Sequence, residues 1–205
     1  GLVGSEMCIR DRHRIADELG DDKFYFADKT ALSNSMLSYL DESPTKFDLY
    51  MKGKWSSPSQ TYFDIGSAVH SMYLEGVDNR MLVEGTRATK AYKLAKQENP
   101  DKLVMPATDY NLVDSMVDKL HRVPELQEFV GRFTERQPEL AATAIVTTPS
   151  GNRIAVKGKG DMLLSDGFSA PVLLDLKTSS KGLSDWKRNA WYGSYPRQAY
   201  MLSLI

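Results

Sequence analysis

The sequence predicts an α/β protein with a helical N-terminal half and a central, mostly antiparallel or mixed β-sheet flanked by helices. Up to Val130, apolar residues recur at the three- and four-residue spacing of amphipathic helices. From Glu139 onward, apolar residues alternate with polar ones, as they do along strands. Turn-forming residues at 149–152 and 166–167 divide this second region into three strands. We therefore expect a three-stranded antiparallel meander after the helical half.

Composition and charge limit the function classes. The chain has 205 residues, of which 41% are hydrophobic and 26% are charged, and its formal net charge is -1. These values are typical of one globular domain and exclude a protein that binds nucleic acid through overall positive charge, although they leave room for a local basic cleft. No apolar stretch has the length of a transmembrane helix, and no signal peptide is visible. We expect no membrane association and a cytoplasmic location in a bacterium or a phage-infected host cell.

The two ends of the chain have unusual sequences. Residues 1–12 resemble the translation of a transposase sequencing adaptor, and we expect them to lie outside the folded domain. They contain Cys8, the single cysteine, so we expect no iron-sulfur cluster, disulfide or zinc-thiolate site in the remainder. The chain stops on an apolar run at Ile205 without a helix cap. The prediction is one domain over 24–205, truncated at its C-terminus.

Each helix of the N-terminal half is predicted from its apolar spacing and its boundary residues. Ser43-Pro44 separates the first two helices, because proline is favoured in the first turn and disfavoured further along. The third carries His70 among small and apolar residues, and Gly66 would let another backbone approach it. A single histidine on such a helix is more often a hydrogen-bonded core residue than a ligand. The predicted helical ranges are 30–40, 45–52, 62–76, 110–120 and 123–130.

Lysines recur every third residue in the polar segment 86–99, at Lys90, Lys93 and Lys96. A stripe of this kind on a helix could face DNA. A solvated helix face is the more common origin of such a charge run. Both interpretations stay open at this point.

The hairpin formed by 154–165 and 171–178 carries the candidate chemistry. An antiparallel pair centred on Phe168 places Asp161 opposite Asp175, since each lies seven residues from that centre. Directly opposed carboxylates have Cβ atoms roughly 5 Å apart and repel each other unless something compensates. Mg²⁺ is commonly held by one or two carboxylates together with water and a substrate phosphate. Lys177 shares a face with Asp175, so it could orient or deprotonate an attacking water.

The same residues also have a purely structural interpretation. Asp-Leu-Lys is a common tripeptide, and on a strand it more often forms a solvated ion pair than a catalytic site. A register shift of one residue would also send the whole set to the opposite face. No phosphate loop of the G-x-x-x-x-G-K-[ST] type exists in the chain, so nucleotide hydrolysis has no support.

Two groups of cations are candidates for contact with phosphates. Lys157 and Lys159 share strand parity with Asp161, and would then either neutralise phosphates beside a metal or simply face solvent. After the meander, cations and aromatic residues alternate, a composition that suits a nucleic-acid strand and suits a core with a charged rim equally well. This second cluster consists of Trp186, Lys187, Arg188, Trp191, Tyr192, Tyr195 and Arg197.

Four segments in order resemble the PD-(D/E)XK nuclease superfamily, and most closely its exodeoxyribonuclease VIII (RecE-type) exonucleases of phages and prophages. The resemblance runs from about Thr30 to the end of the chain. The segments are 30–47, similar to an opening S-x-L…S-P-x-x-F pattern; 63–76, similar to G-[TS]-A-[VI]-H…L-E-P with Gly76 in place of the proline; and the strands at 158–161 and 173–178.

The resemblance implies a role for each matching residue. His70, Asp161 and Asp175 would be metal ligands, and Lys177 would be the catalytic lysine. Gln198 resembles the glutamine of a Q-x-x-x-Y helix that supports the lysine and the DNA end. The match there is imperfect, because the residue four positions later is Leu202 and the nearby tyrosine is Tyr200.

The implied activity is Mg²⁺-dependent exonucleolytic hydrolysis of DNA, with Mn²⁺ able to substitute. Members of the family degrade one strand of a duplex from its 5′ end and leave a 3′ overhang for recombination. The resemblance also implies binding of duplex ends, a homo-oligomeric ring and a single-strand annealing partner. Two alternatives remain: a single-strand exonuclease of the RecB or CRISPR-associated type, and a catalytically inactive DNA-binding member of the fold.

Overall fold

The computed structural model describes residues 22–56, 61–179 and 183–204, and over these ranges the protein is mixed α/β. The adaptor-like segment 1–12, with Cys8, and the last residue, Ile205, lie outside the described residues. The helices are α1 Asp22–Ala27, α2 Asn34–Glu42, α3 Pro44–Met51, α4 Thr61–His70, α5 Lys90–Glu98, α6 Ala107–Arg122, α7 Pro124–Gly131, α8 Trp186–Tyr192 and α9 Tyr195–Ser203. A π-helical turn, Ser71–Glu75, follows α4, and a 3₁₀ turn, Leu183–Asp185, precedes α8.

The predicted helices are confirmed, with one displaced start. α2 begins at Asn34 because the Ser33 hydroxyl caps it, accepting a hydrogen bond from Met36 N at 3.3 Å. The residues before it pair with a strand instead: Leu32 N donates to Ala155 O at 2.9 Å, and Lys157 N donates to Leu32 O at 3.0 Å. The start predicted at residue 30 is therefore wrong by one helical turn.

The strands form two sheets. A three-stranded antiparallel sheet has the order β3 Glu135–Thr147, β4 Arg153–Ser165 and β5 Val172–Leu174, which confirms the meander. A parallel pair joins β1 Arg80–Val83 to β2 Leu103–Pro106, with α5 as the crossover. This parallel pair was not predicted from the sequence. Among the described residues, no helix combines the length and the apolar character needed to cross a bilayer.

The chain divides into two compact units. The first contains the described parts of 1–57, 139–160 and 179–205, and the second contains the described parts of 58–138 and 161–178. The predicted single domain over 24–205 stays a prediction.

In the first unit, Lys157 is buried, with a side chain only 1% exposed. Its ammonium group donates to the carbonyl of Tyr25 and, at 2.6 Å, to the carbonyl of Asp28, whose carboxylate lies 3.6 Å away. The prediction that Lys157 faces phosphates or solvent is therefore wrong. The lysine instead ties the segment after α1 to β4.

Two further predicted DNA contacts of the first unit are engaged in structural bonds. Arg197 in α9 donates to Asn34 Oδ1 at 2.8 Å and to Ser38 Oγ at 2.6 Å, and it pairs with Asp41, so it fastens α9 to α2. Lys159 pairs with Glu139 at 3.0 Å, and its side chain is 17% exposed. Both cations are thus engaged within the first unit, and their predicted contacts with DNA stay predictions.

In the second unit, α4, β2 and α6 share one core. Ala68 and Val69 from α4 pack with Met105 from β2 and Val113 from α6, and Leu176 packs against this cluster from the chain after β5. The core therefore fixes the end of α4 beside the end of β5. Those two ends carry the candidate site.

Candidate metal centre

The pairing of β4 with β5 brings the two predicted acids to neighbouring positions. Met162 pairs with Leu174, Leu163 with Leu173 and Leu164 with Val172, so each observed pair is centred on Phe168 as predicted. The next position in this register would pair Asp161 with Asp175. The ladder stops before it, because β5 ends at Leu174 and the strand predicted to reach residue 178 is too long.

Strand β5 ends at Leu174 because the Asp161 side chain binds the main chain that follows it. Asp161 Oδ2 accepts a hydrogen bond from Leu176 N at 2.6 Å, so a carboxylate takes the donor that a longer strand would use in the ladder. The side chain of Leu176 is anchored in the core of the second unit. Its main chain is thereby held against the site.

His70 reaches the same place from α4. It is the last residue of that helix, directly before the π-helical turn, a local distortion that is frequent at functional sites. Gly66, one turn earlier, lies against the chain after the lysine: a Cβ added there would sit 3.2 Å from Thr178 Oγ1. The prediction that Gly66 permits close approach is confirmed.

Both ring nitrogens of His70 face oxygen atoms. Nε2 lies 2.8 Å from Leu176 O, and Nδ1 lies 3.6 Å from Asp161 Oδ2. Since a carbonyl only accepts, Nε2 carries a hydrogen. Nδ1 is therefore directed toward the Asp161 carboxylate.

The charges of the site are partly balanced within it. Lys177 Nζ lies 2.7 Å from Asp175 Oδ2 and 2.9 Å from its other oxygen. Burial raises the pKa of the Asp161 carboxyl above its usual value; the nearby Asp175 raises it further, while His70 and the Leu176 N–H act in the opposite direction. The carboxylates of Asp161 and Asp175 together carry more negative charge than Lys177 balances. A divalent cation would offset it.

The donors fit Mg²⁺ or Mn²⁺ in their chemistry. Carboxylate and carbonyl oxygens are the ligands that these hard cations prefer, and an imidazole completes the set. Within the described part of the chain, however, no three His, Cys, Asp or Glu side chains are arranged to hold one ion. His70 is bonded to the Leu176 carbonyl and Asp175 to Lys177. Loading with an ion requires these side chains to exchange partners.

The main chain of Leu176 belongs to the site but was not predicted from the sequence. Its N–H holds Asp161 and its carbonyl meets His70. Its position between Asp175 and Lys177 is the signal in the sequence that could have indicated its part in the site. Its apolar side chain, however, gives no sign that its backbone takes part.

The remaining predicted site residues lie in the first unit. Lys187, Arg188 and Tyr200 are exposed on α8 and α9, and Arg188 also pairs with Asp185 at 3.0 Å. Gln198 is half-buried in α9. Their predicted roles toward DNA and the catalytic lysine stay predictions.

No protein-family model and no curated protein matches this chain.

Proposed function

We propose that this chain is a metal-dependent deoxyribonuclease, an exonuclease with the restriction-endonuclease-like fold of the PD-(D/E)XK superfamily and similar to RecE-type enzymes. One observation carries the proposal: His70 and Asp161 approach to 3.6 Å although one lies on a helix and the other on a strand. The Asp175–Lys177 pair lies directly after β5, which pairs with the strand that carries Asp161. These four residues thus lie in one part of the second unit.

Asp161, Asp175 and His70 would hold the cation, and the Leu176 carbonyl would be an additional main-chain ligand. When bound, Mg²⁺ supplies Lewis acidity toward a phosphodiester and lowers the pKa of a coordinated water. Asp161 contributes a carboxylate already fixed by the Leu176 N–H. His70 contributes a ring nitrogen.

Lys177 would orient the attacking water and neutralise charge on the phosphate. Its amine is beside Asp175 and its side chain is 24% exposed, so it can reach both the site and a substrate at the surface. An ammonium group has three donors and no acceptor, which suits it to holding an oxygen nucleophile and a phosphate oxygen together.

The DNA contacts are proposed for α8 and α9. Trp191 and Tyr192 are 73% and 81% exposed, and Lys187 and Arg188 lie on the same short helix. Exposed aromatic rings among cations stack bases and hold backbones without sequence preference. The proposal includes duplex ends as substrate, 3′ overhangs as product, a homo-oligomeric ring, a single-strand annealing partner and a cytoplasmic location.

The test is digestion of DNA labelled at the 5′ or the 3′ end, as duplex and as single strand, with Mg²⁺ or with EDTA. We expect Mg²⁺-dependent release of mononucleotides from the 5′ ends of duplex DNA. Lys177→Ala should lower the rate about 10²- to 10⁴-fold while DNA binding is retained. Lys119→Ala, which removes an exposed lysine of α6 outside the site, serves as the matched control.

The two alternatives give different results in the same assay. Release from single strands alone would indicate the RecB or CRISPR-associated type. DNA binding without metal-dependent release from either substrate would contradict the catalytic proposal and support an inactive member of the fold.

A further inference from the structure

We propose that the second unit carries a pocket for a carboxylate attached to a short apolar group, separate from the candidate metal centre. The pocket has a volume of about 130 Å³ and is formed by the π-helical turn, the junction of α6 and α7, the start of β3 and the paired strands β4 and β5. None of the residues given a role in DNA cleavage lines it.

Four apolar side chains form one part of the lining. Val130 and Met162 belong to one hydrophobic cluster, and Leu74 and Leu174 pack against it. Met162 and Leu174 are also directly paired across the β4–β5 ladder. A ligand that buries an apolar group here would cover a fixed surface, since the strand pairing and the cluster hold these side chains in place.

The polar part of the lining offers mainly hydrogen-bond donors. The Gln127 amide nitrogen donates to Tyr73 Oη at 3.2 Å and to Leu120 O at 2.8 Å, so both of its hydrogens are used. Tyr73 Oη already accepts a hydrogen bond, which leaves its own hydrogen available to a ligand. The pocket therefore presents a phenolic donor in a fixed position.

Two cationic or potentially cationic groups complete the lining. Arg136 donates one long bond, 3.4 Å, to the carbonyl of Val130. The His121 ring packs against Tyr73 at an interplanar angle of 57°, with 5.1 Å between ring centres. Among the described residues, no carboxylate lies within ion-pair distance of either Arg136 or His121. The guanidinium thus retains unused donors in the planar arrangement that matches a carboxylate.

The volume and the mixed lining define the ligand class. A space of about 130 Å³ is large enough for a short acid. A bare phosphate would leave the apolar surface uncovered. A branched aliphatic carboxylate fits both the apolar and the polar part of the lining. It could be a free acid or the C-terminal leucine of a peptide.

Binding to the intact chain can be measured from the chemical shifts of backbone amides in a ¹⁵N-labelled sample. The probes are 4-methylpentanoate and acetyl-glycyl-leucine, each compared with its uncharged amide. We expect saturable shifts at residues of the pocket, and at least about tenfold weaker binding of each amide, because a charge-assisted bond is lost. Binding of the free acid alone or of the peptide alone identifies the source of the ligand.

Arg136→Gln should weaken binding of the acid about tenfold. Arg132→Gln is the matched control, because Arg132 lies outside the lining and pairs with Glu128 on the surface. Equal binding of acid and amide by the unmodified chain would overturn the proposal without any variant. Absence of saturable shifts with both acids, or undiminished binding by a folded Arg136→Gln protein, would also overturn it. These outcomes are independent of nuclease activity.

Discussion

Replacement of Lys157 by methionine tests a cation of the first unit whose side chain is only 1% exposed. The substitution keeps an unbranched side chain of similar length and removes the ammonium group that binds Tyr25 O, Asp28 O and the Asp28 carboxylate. Each buried acceptor left without a donor costs about 1–3 kcal/mol. Removal of the desolvated ammonium offsets part of this, and the Asp28 side chain, 23% exposed, keeps contact with water. We therefore expect a net loss of about 2–3 kcal/mol in the free energy of unfolding.

Urea unfolding followed by circular dichroism measures this loss. With a slope of about 2 kcal/mol per molar urea, the midpoint should fall by about 1–1.5 M. Lys159→Met is the control on the same strand: that lysine pairs with Glu139, whose side chain is 46% exposed, so the loss should stay below about 1 kcal/mol. A Lys157→Met midpoint equal to or above that of Lys159→Met would refute the reasoning.

The stability that Lys157 contributes should also depend on pH in a definite direction. Burial lowers the pKa of the Lys157 ammonium below its ordinary value of 10.5. Between the lowered pKa of the folded state and 10.5, the unfolded chain binds more protons, so this lysine makes stability rise with pH. The stability of the unmodified chain relative to Lys157→Met should increase from neutral pH toward pH 10. A difference that stays constant or shrinks over this range contradicts the burial assignment.

The remaining predictions concern the candidate metal centre. Asp161→Asn should stabilise the metal-free protein at neutral pH, because burial disfavours the carboxylate. The same substitution should remove the stabilisation of the protein by Mn²⁺. Thermal unfolding with and without Mn²⁺ measures both effects, and a metal-free variant less stable than the unmodified protein would contradict the first expectation. Gly66→Ala forces the new Cβ and Thr178 Oγ1, 3.2 Å apart, to separate by a few tenths of an ångström, which moves α4 and its terminal His70. We expect it to weaken Mn²⁺ binding in a calorimetric titration, whereas Gly131→Ala, where an added Cβ meets nothing within 4 Å, should not; equal affinities would refute the positioning argument.

The hairpin was predictable because its information is local. A turn at Asp166-Gly167 and alternating apolar residues on both sides fix one register, and the observed pairs follow it. The parallel pair was not predictable in the same way. Arg80–Val83 and Leu103–Pro106 are short runs whose pairing depends on a crossover of many residues rather than on a turn.

Lys157 and Leu176 show why part of the site and of the core escaped prediction. Strand alternation placed Lys157 on a polar face. Its partners, however, are main-chain carbonyls 129 and 132 positions away in the sequence. Main-chain groups are the same in every residue type, so the sequence gives no pattern that would reveal them. Leu176 acts through its backbone for the same reason. The proximity of His70 to Asp161 followed from the family resemblance, because the helix and the strand that carry them are far apart in sequence.

The most direct test of the central claim is the electron spin echo modulation of Mn²⁺ bound to the intact chain. Coordination by the His70 imidazole predicts ¹⁴N modulation that disappears in His70→Gln and persists in His121→Gln. Modulation that is absent from the unmodified protein, or that survives in His70→Gln, would contradict the assignment of His70 and the acids beside it as one metal centre.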